Sequence, residues 1–230
     1  MPRRLIPLID GEYYHVYNRG VEKRQIFSEQ RSYQRFIETI LFYRFTQQPM
    51  RLSNFFKLSL QRRASLIKTQ QKSPVHATIF SYVLMDNHFH LLLKQESNGS
   101  LSVFLKNLSD SYTRYFNVRE NRIGPLFQGQ FKAVRIEFDN QFLHVSRYIH
   151  LNPYTAGIVA TLDDLKRYPW SSLPMYLQQS NIHAFCDTQF ILNSFKTKGS
   201  YWKFIADQAD YQKKLDAIKH LTVENPDVRS

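Results

Sequence analysis

The chain has 230 residues, 43% of them hydrophobic and 22% charged, a composition that favours one globular domain, or one domain with an appendage, over a disordered chain. Its formal net charge of +12 favours a polyanionic partner, with nucleic acid as the first candidate. The absence of any apolar run of ~18 residues argues against a membrane span, and the single cysteine, Cys186, excludes an internal disulfide and a cysteine-rich zinc module, so we expect a cytoplasmic protein.

The excess of basic residues lies at the start of the chain. Residues 1–74 contain 14 Lys and Arg and 5 Asp and Glu, a net charge of +9. Residues 75–160 and 161–230 have net charges of only +2 and +1. We expect the N-terminal excess as a whole to contact phosphates.

The first predicted elements are a strand and a helix, followed by a basic segment. Residues 12–18 are rich in aromatic residues and include a β-branched one, which predicts a strand that ends in a turn. Residues 28–45 begin with a capping serine and carry apolar residues at helical spacing. Residues 46–74 indicate a basic insertion between core elements, with a short helix at about residues 55–68.

Two further strands and a second helix follow the insertion. Residues 77–85 and 88–94 are apolar runs separated by an Asp-Asn turn, which predicts a hairpin. A polar loop then leads into a helix at about residues 101–116. After an irregular stretch, residues 131–136 predict a fourth strand.

The order of the elements predicts the fold class. A third helix is expected at about residues 140–151, stopped by Pro153. The succession strand, helix, strand, strand, helix, strand is the split β-α-β motif, so we predict an α+β, ferredoxin-like (RRM-like) antiparallel sheet with helices on one face. Residues 161–230 carry no comparable strand signal and indicate a mainly helical C-terminal extension of unknown role, with one helix at about residues 202–221. The first domain is accordingly placed at residues 1–160.

Two histidines on the predicted third strand are the sharpest candidates for chemistry. His88 and His90 are two residues apart, so both side chains project from one face of the strand. Two imidazoles on one face supply two-thirds of a metal site, and the competing interpretation is a pair of half-exposed strand histidines. The sequence has neither an H-E-x-x-H motif nor a cysteine pair, which excludes a zincin or a zinc finger.

The helix near residues 140–152 offers a nucleophile and a third ligand. Tyr148 and Asn152 are four residues apart and therefore lie on one helical face. The Asn152 carboxamide can complete a hard-cation site, and a phenol one turn away can form a covalent intermediate. Taken singly, Tyr148 is also compatible with a structural role and Asn152 with a helix C-cap. Tyr112 and Tyr115 are alternative nucleophiles, although their spacing suits a core stripe.

Together these residues resemble the single-tyrosine HUH transposases of bacterial insertion sequences, and more closely the REP-associated tyrosine transposases. The similarity extends from about residue 12 to residue 176. Its blocks, in chain order, are Y-H-V-Y-N-R-G at 14–20, M-D-N-H-F-H-L-L at 85–92, G-P-L-F-Q-G-Q-F-K at 124–132, Y-I-H-L-N-P at 148–153 with A-G-I-V at 156–159, and Y-P-W-S-S at 168–172. Each block alone is moderately specific, but all five in the family's order are strong support for the resemblance.

The resemblance implies a role for each candidate residue within an HUH catalytic domain. Tyr148 would be the nucleophile, and a divalent metal, Mg²⁺ or Mn²⁺ rather than Zn²⁺, would be bound by His88, His90 and Asn152. Many members have glutamine at the last position, so the shorter asparagine changes the geometry of that ligand. The implied function is metal-dependent cleavage and rejoining of single-stranded DNA next to hairpins through a 5′-phosphotyrosine intermediate. Three basic residues are candidates for contacts with the hairpin backbone, namely Arg19, Lys132 and Arg135.

Three alternative functions stay open at the level of the sequence. A ferredoxin-like sheet with aromatic strand residues also describes a non-catalytic module that binds single-stranded nucleic acid, although the RNP signature is absent. A metal nuclease that uses water would keep the two histidines and would not require Tyr148. A replication or conjugation initiator of the HUH class usually has another order of motifs or additional domains.

The resemblance also bears on assembly and location. The relatives in insertion sequences act as dimers, whereas the REP-associated relatives are compatible with monomers, so both a homodimer and a monomer stay open. We expect no membrane partner, and a location in the bacterial cytoplasm in association with the nucleoid.

Overall fold

The computed structural model describes residues 7–96, 100–137, 139–178 and 185–213. Four strands and a set of helices make up these ranges. The strands are β1 (Tyr13–Arg19), β2 (Ala77–Met85), β3 (His88–Gln95) and β4 (Lys132–Ile136), and the helices are α1 (Gln30–Tyr43), α2 (Leu52–Phe55), α3 (Leu60–Gln70), α4 (Ser100–Arg119), α5 (Asp139–Thr155), α6 (Leu162–Lys166), α7 (Leu173–Tyr176), α8 (Gln189–Leu192) and α9 (Lys198–Ala206). Within the described ranges, no helix combines the length and the apolar character that a membrane crossing needs.

The four strands form one antiparallel sheet in the order β2-β3-β1-β4. The two central strands, β1 and β3, are therefore neighbours although 68 residues lie between the end of one and the start of the other. This is the strand order of the split β-α-β motif, and the predicted α+β, ferredoxin-like class is confirmed. Because the central strands pair along their whole length, side chains of both are held in register at the middle of the sheet.

One face of the sheet is covered by α1 and α4, as predicted for the helices of this motif. Phe36 and Ile40 of α1 and Leu105 and Leu108 of α4 are fully buried there against residues of β1 and β3 such as Val16. Their spacing of three or four residues places them on the inner side of each helix. The charged residues of both helices are left at least partly exposed on the outer side.

The opposite face carries a further helical layer, which the sequence pattern did not predict. Helix α5 packs across β2 and β3, where Phe142 and Ile149 contact a second core that includes Phe80, Val83 and Leu92. Residues beyond position 160 complete this core, and its buried members there are Leu165, Tyr168, Leu173, Tyr176, Ile191, Tyr201, Ile205 and Ala209. The parts of the chain before and after residue 160 thus contribute to one core.

The segment after residue 160 is fastened along the free edge of β2. Ser171 forms a β-bridge with Val83, and the amide of Leu84 donates to the carbonyl of Trp170 at 2.8 Å. The Tyr168 hydroxyl donates to the Leu84 carbonyl, also at 2.8 Å. These bonds use main-chain groups of an edge strand that would otherwise be exposed.

The helix predicted at residues 202–221 differs from what is observed. Helix α9 starts earlier, at Lys198, because Thr197 caps it by accepting from the amide of Ser200. It ends at Ala206, and the predicted portion over residues 214–221 lies outside the described residues.

The end of α5 also corrects the expectation that Pro153 stops this helix. Pro153 lies inside α5, which continues to Thr155. The helix ends in a Schellman motif, in which Gly157, at φ +72°, donates to the Tyr154 carbonyl and Ile158 donates to the Pro153 carbonyl. A glycine that accepts positive φ therefore sets the helix end, and the last turn stays helical around the proline.

The basic insertion forms a small satellite of the core rather than a loop. Helices α2 and α3 lie within residues 46–74, and Leu52 and Phe55 are buried with Phe42 of α1. The predicted helix at 55–68 is observed as α3 at 60–70, because the side chain of Ser59 caps it by accepting from the amide of Arg62.

The backbone of Gly20, directly after β1, lies so close to neighbouring atoms that one added methyl group should destabilise the protein. Gly20 has an ordinary extended conformation, but a Cβ there would collide with the carbonyl oxygen of Arg24 and lie 2.8 Å from the Ile26 side chain. We expect Gly20→Ala to lower the free energy of unfolding by about 1–3 kcal/mol. Gly199→Ala is the control, because a Cβ in that helix meets only one atom at 3.6 Å. Urea denaturation of the two variants measures the difference, and equal stabilities would contradict the prediction.

Candidate active site

One face of the sheet centre concentrates the polar groups that the sequence singled out. His88 and His90 of β3 both point to the face opposite α1 and α4, as their spacing predicts, whereas Phe89 between them is buried in the first core. In the register with β1, His90 lies opposite Tyr17 and His88 lies opposite Arg19. We call this side of the sheet the histidine face.

A third histidine, which sequence reasoning did not single out, lies on the same face. The Nε2 atom of His15 is 2.8 Å from the Nδ1 atom of His90, and the two rings stack with centroids 5.0 Å apart. His15 is two residues before Tyr17 on β1, so it projects to the histidine face. Only the pairing of β1 with β3 shows that the two histidines meet. The one signal in the sequence was that His15 and Tyr17, two residues apart on the predicted strand, project to the same face.

Helix α5 delivers Tyr148 and Asn152 onto the histidine face. The Tyr148 ring meets the rings of His15 and His90 edge to face, with centroids 5.8 and 5.6 Å away. Asn152, one turn further along, is 5% exposed and hydrogen-bonds with His88, while its Nδ2 atom donates to the Tyr148 carbonyl at 2.9 Å. Asn152 is not a C-cap, since α5 continues past it.

Burial keeps the three imidazoles neutral near pH 7. Desolvation lowers the pKa of His15 to about 4, and it lowers the pKa of His90 well below its usual value. The pKa of His88 falls to about 4, mainly through desolvation and then through the charge of Arg19, although the hydrogen bond with Asn152 acts in the opposite direction. Neutral imidazole is the form that binds a metal ion.

Each candidate ligand is oriented by a neighbouring side chain. The Nδ1 atom of His88 lies 2.6 Å from Oδ1 of Asn87, an oxygen that can only accept, so the ring nitrogen donates. Nε2 of His15 lies at hydrogen-bond distance from Nδ1 of His90, and the tautomer decides which of the two nitrogens donates. In the tautomer in which His90 donates from Nδ1, the Nε2 atoms of both ligand candidates are the nitrogens available to a metal, an arrangement found around metal-binding histidines in general.

The donor set fits a divalent metal only if the carboxamide takes part. Within the described ranges no group of three His, Cys, Asp or Glu side chains is arranged to hold a metal ion. His88, His90 and Asn152 would supply two nitrogen donors and one oxygen donor, a mixed set of the kind that divalent metals accept.

The three basic residues predicted to contact DNA do not lie together. Arg19 is on the histidine face next to His88, and Lys132, which pairs with Tyr17, projects to the same face from the edge strand β4. Arg135 pairs with Tyr14 and therefore points to the opposite face. There its guanidinium contacts both carboxylate oxygens of Glu12, at 2.9 and 3.1 Å. The reason is the period of two along a strand, which separates positions 132 and 135 onto different faces.

The alternative tyrosine nucleophiles lie away from the histidines. Tyr112 is fully buried on α4 and donates to the Ile26 carbonyl at 2.6 Å. Tyr115, one turn along, lies under the guanidinium of Arg35. Both belong to the α1 and α4 side of the sheet, as the core-stripe interpretation requires.

Comparison with known proteins finds a family similarity within the chain. Residues 39–152 match the model of the family described as "Transposase IS200 like". No curated protein matches the chain. Among solved structures, the chain resembles "Structure of the REP associates tyrosine transposase bound to a REP hairpin", with a TM-score of 0.53 and 16% sequence identity over 78% of this chain and 87% of that chain. The similarity to this structure is one of fold.

The matched residues include the strand of the two histidines and the helix as far as Asn152, whereas His15 on β1 lies outside them. The agreement of the family match, the strand order and the five sequence blocks leads to one conclusion. Residues 39–152 are similar to the IS200-like transposase family.

Proposed function

We propose that the protein is a metal-dependent endonuclease and strand transferase of single-stranded DNA that uses Tyr148 as its nucleophile. The observation that carries this proposal is the meeting of Tyr148 and Asn152 of α5 with His90 and His88 of β3 on one face. A purely structural contact between aromatic side chains would not require a carboxamide, two neutral imidazoles and a phenol at the same place. The family supports a transposase role.

In the proposed reaction, the Tyr148 oxygen attacks the scissile phosphorus. The bond from phosphorus to the 3′ oxygen breaks, the leaving oxygen takes up a proton to become a 3′-OH, and the new bond is a 5′-phosphotyrosine link. The phenolic proton is lost in the attack. A 3′-OH of a second strand can reverse the step, so the DNA is rejoined without an external energy source.

His88, His90 and Asn152 would hold the divalent metal, which when bound polarises the scissile phosphate. His15 and Asn87 orient the two histidine rings through their Nδ1 atoms. Arg19 adds a positive charge beside His88, where a DNA phosphate would lie. Lys132 is placed for the same role further along the face, whereas Arg135 is omitted because Glu12 engages it on the other side of the sheet.

The proposed substrate is single-stranded DNA that folds into a hairpin beside the cleavage site. Support comes from the solved transposase of the same fold, whose printed description has it bound to a REP hairpin. A chromosomal DNA substrate fits a cytoplasmic, nucleoid-associated location. The catalytic groups come from residues 1–160, and we propose that the extension after residue 160 holds α5 in place.

Covalent capture tests the proposal. The protein is mixed with a labelled pool of single-stranded hairpin DNAs and Mn²⁺ or Mg²⁺, and adducts are separated on a denaturing gel. We expect an adduct that EDTA prevents and that mass spectrometry maps to the peptide of Tyr148. Cleavage without an adduct would favour a nuclease that uses water, and binding without either product would favour a non-catalytic module.

The role of His15 in orienting a ligand predicts a change in metal affinity. His15→Phe removes the partner of His90 Nδ1 while keeping a ring next to Tyr148, and we expect Mn²⁺ to bind about 10–100-fold more weakly. Titration with Mn²⁺ followed by electron paramagnetic resonance measures the affinity. His144→Phe on the exposed side of α5 is the control and should bind Mn²⁺ as the unmodified protein does. Equal affinities of both variants would refute the role of His15.

A further inference from the structure

The short turn Val21–Lys23, shortly after β1, contains two neighbouring residues in a conformation that side chains disfavour. Glu22 and Lys23 have φ values of +56° and +57°. Elsewhere in the described ranges, positive φ occurs in non-glycine residues only at Asn121 and Gln178, each of them isolated. A left-handed conformation costs free energy in any residue with a Cβ atom, and it persists only where the surrounding structure imposes it. We call this segment the left-handed turn.

Main-chain hydrogen bonds impose the conformation of the left-handed turn. The amide of Val21 donates to the Leu126 carbonyl at 2.9 Å, which fixes the start of the turn. The amide of Lys23 donates back to the Gly20 carbonyl at 3.1 Å. The amide of Gly20 in turn donates to the carbonyl of Asn87 at 2.8 Å. The left-handed turn is therefore held directly beside the tight turn that connects β2 to β3.

The turn between β2 and β3 is itself fixed before any ligand arrives. The main-chain carbonyl of Asp86 accepts from the amides of Ile26 and Phe27 at 2.7 and 2.9 Å. Its carboxylate accepts from the Tyr33 hydroxyl at 2.7 Å. Because these bonds hold the main chain next to Asn87, the orientation of the Asn87 carboxamide is the main freedom left at this turn.

The left-handed turn presents one main-chain oxygen to that carboxamide. The Nδ2 atom of Asn87 donates to the Lys23 carbonyl at 3.2 Å, while the Oδ1 atom lies 2.6 Å from Nδ1 of His88. A carbonyl oxygen only accepts, so it must face the amide nitrogen, and the carboxamide oxygen then faces the imidazole. An imidazole nitrogen alone would not select one end of the carboxamide, because it donates in one tautomer and accepts in the other.

We propose that the left-handed turn is a positioning element that selects the tautomer of His88 through the Lys23 carbonyl and the Asn87 carboxamide. The selected tautomer carries its proton on Nδ1 and leaves Nε2 with a free lone pair. With the carboxamide reversed, Nδ2 would donate to Nδ1, and the proton would occupy the nitrogen that has to bind the metal. The consequence for metal binding rests on the proposed function, whereas the tautomer is a property of the metal-free protein.

Two substitutions of the exposed Lys23 separate its main-chain conformation from its side chain. Valine is strongly disfavoured at positive φ, whereas asparagine tolerates it, and both replacements remove the same charge. Nuclear magnetic resonance spectra of the metal-free protein with ¹⁵N-labelled histidine report which ring nitrogen of His88 carries the proton. We expect a proton on Nδ1 in the unmodified protein and in Lys23→Asn, and a mixture of tautomers in Lys23→Val. The same tautomer in both variants would overturn the inference.

The affinity for Mn²⁺ gives a second measurement, by electron paramagnetic resonance. We expect Lys23→Val to bind Mn²⁺ about tenfold more weakly, and Lys23→Asn to stay within about twofold of the unmodified protein. Gln25→Val places a valine at a neighbouring exposed position without positive φ and should bind Mn²⁺ normally. An equal loss in both valine variants would contradict the role of the turn. Thermal unfolding checks that the variants fold, and Lys23→Ala, with a smaller expected loss, replaces a valine variant that does not.

A rescue variant distinguishes selection of the tautomer from general loosening of the site. In Asn87→Asp both side-chain oxygens only accept, so His88 keeps its proton on Nδ1 wherever the Lys23 carbonyl lies. Lys23→Val added to Asn87→Asp should therefore cost no further affinity for Mn²⁺. A further loss of about tenfold in the double variant would overturn the inference, because the turn would then act by another route.

The outcomes distinguish this inference from the proposed function. If the unmodified protein forms the Tyr148 adduct while Lys23→Val leaves the tautomer of His88 unchanged, the proposed function stands and the inference fails. If the unmodified protein neither binds Mn²⁺ nor forms an adduct while Lys23→Val still changes the tautomer, the proposed function fails and the selection of the tautomer stands. A proton on Nε2 of His88 in the unmodified metal-free protein would overturn the inference outright.

Discussion

Tyr148→Phe is expected to abolish the covalent DNA adduct and to reduce strand cleavage by at least about 1,000-fold. The substitution removes one oxygen and keeps the ring, so the edge-to-face contacts with His15 and His90 persist. The helix keeps Asn152 in position through its bond to the main-chain carbonyl of residue 148, which the substitution does not change. We therefore expect hairpin binding and metal binding to stay within about twofold of the unmodified protein.

The matched control for this prediction is Tyr154→Phe on the same helix. The Tyr154 hydroxyl donates to Asp210 at 3.1 Å, away from the histidines, so its loss should leave the adduct intact. Denaturing gels quantify the adduct and the cleaved strand for both variants. An adduct that persists in Tyr148→Phe, or one that maps to another tyrosine, would show that Tyr148 is not the nucleophile. Cleavage at the normal rate without an adduct would instead support water as the nucleophile.

His150→Phe is expected to destabilise the protein by about 2–4 kcal/mol. His150 is fully buried on the side of α5 away from the site. Its Nδ1 atom is 2.7 Å from the Tyr201 hydroxyl and its Nε2 atom is 2.7 Å from the Ser172 hydroxyl. Phenylalanine would leave both hydroxyls without this buried partner, although Ser146 still bonds to Tyr201 at 2.8 Å.

This network ties α5, the helix that carries Tyr148, to the C-terminal part of the chain. Ser172 also accepts from the amide of Tyr82 in β2, so α5, α9 and the sheet are joined through two hydroxyl groups and one ring. Because Tyr148 lies two residues before His150 on the same helix, loosening the network should shift the nucleophile relative to the histidines. We expect adduct formation at saturating DNA to fall with stability, while metal affinity changes less.

Urea denaturation at several pH values measures the effect of His150→Phe. Desolvation lowers the pKa of His150 from 6.5 to about 3 in the folded protein, so the unfolded state binds one more proton below pH 6.5. Folding stability therefore falls as the pH drops from 6.5 towards 3, and removing His150 should lessen this fall by about 1 kcal/mol between pH 6 and pH 5. His144→Phe, at an exposed position of α5, should change neither quantity. Equal pH slopes for the two variants would contradict a buried neutral His150.

Much of the fold was readable from local pattern. The strand and helix periodicities predicted all four strands, and the order of elements predicted the ferredoxin-like sheet, because alternation along a strand and helical spacing are local properties of the chain. The two-residue spacing along a strand placed His88 and His90 on one face. The four-residue spacing along a helix placed Tyr148 and Asn152 on one side. The end of α5 was misplaced because a proline weakens a helix locally, whereas the bonds of Gly157 and Ile158 that set its end depend on the following turn.

The sequence by itself therefore determined the sheet, its two crossover helices, and two pairs of candidate residues on separate elements. Only the tertiary structure decided that His15 contacts His90 and that Arg135 faces away from the histidines. It also decided that the chain after residue 160 completes the core behind α5. These facts depend on strand register and helix packing between residues far apart in the chain, and no local periodicity carries that information.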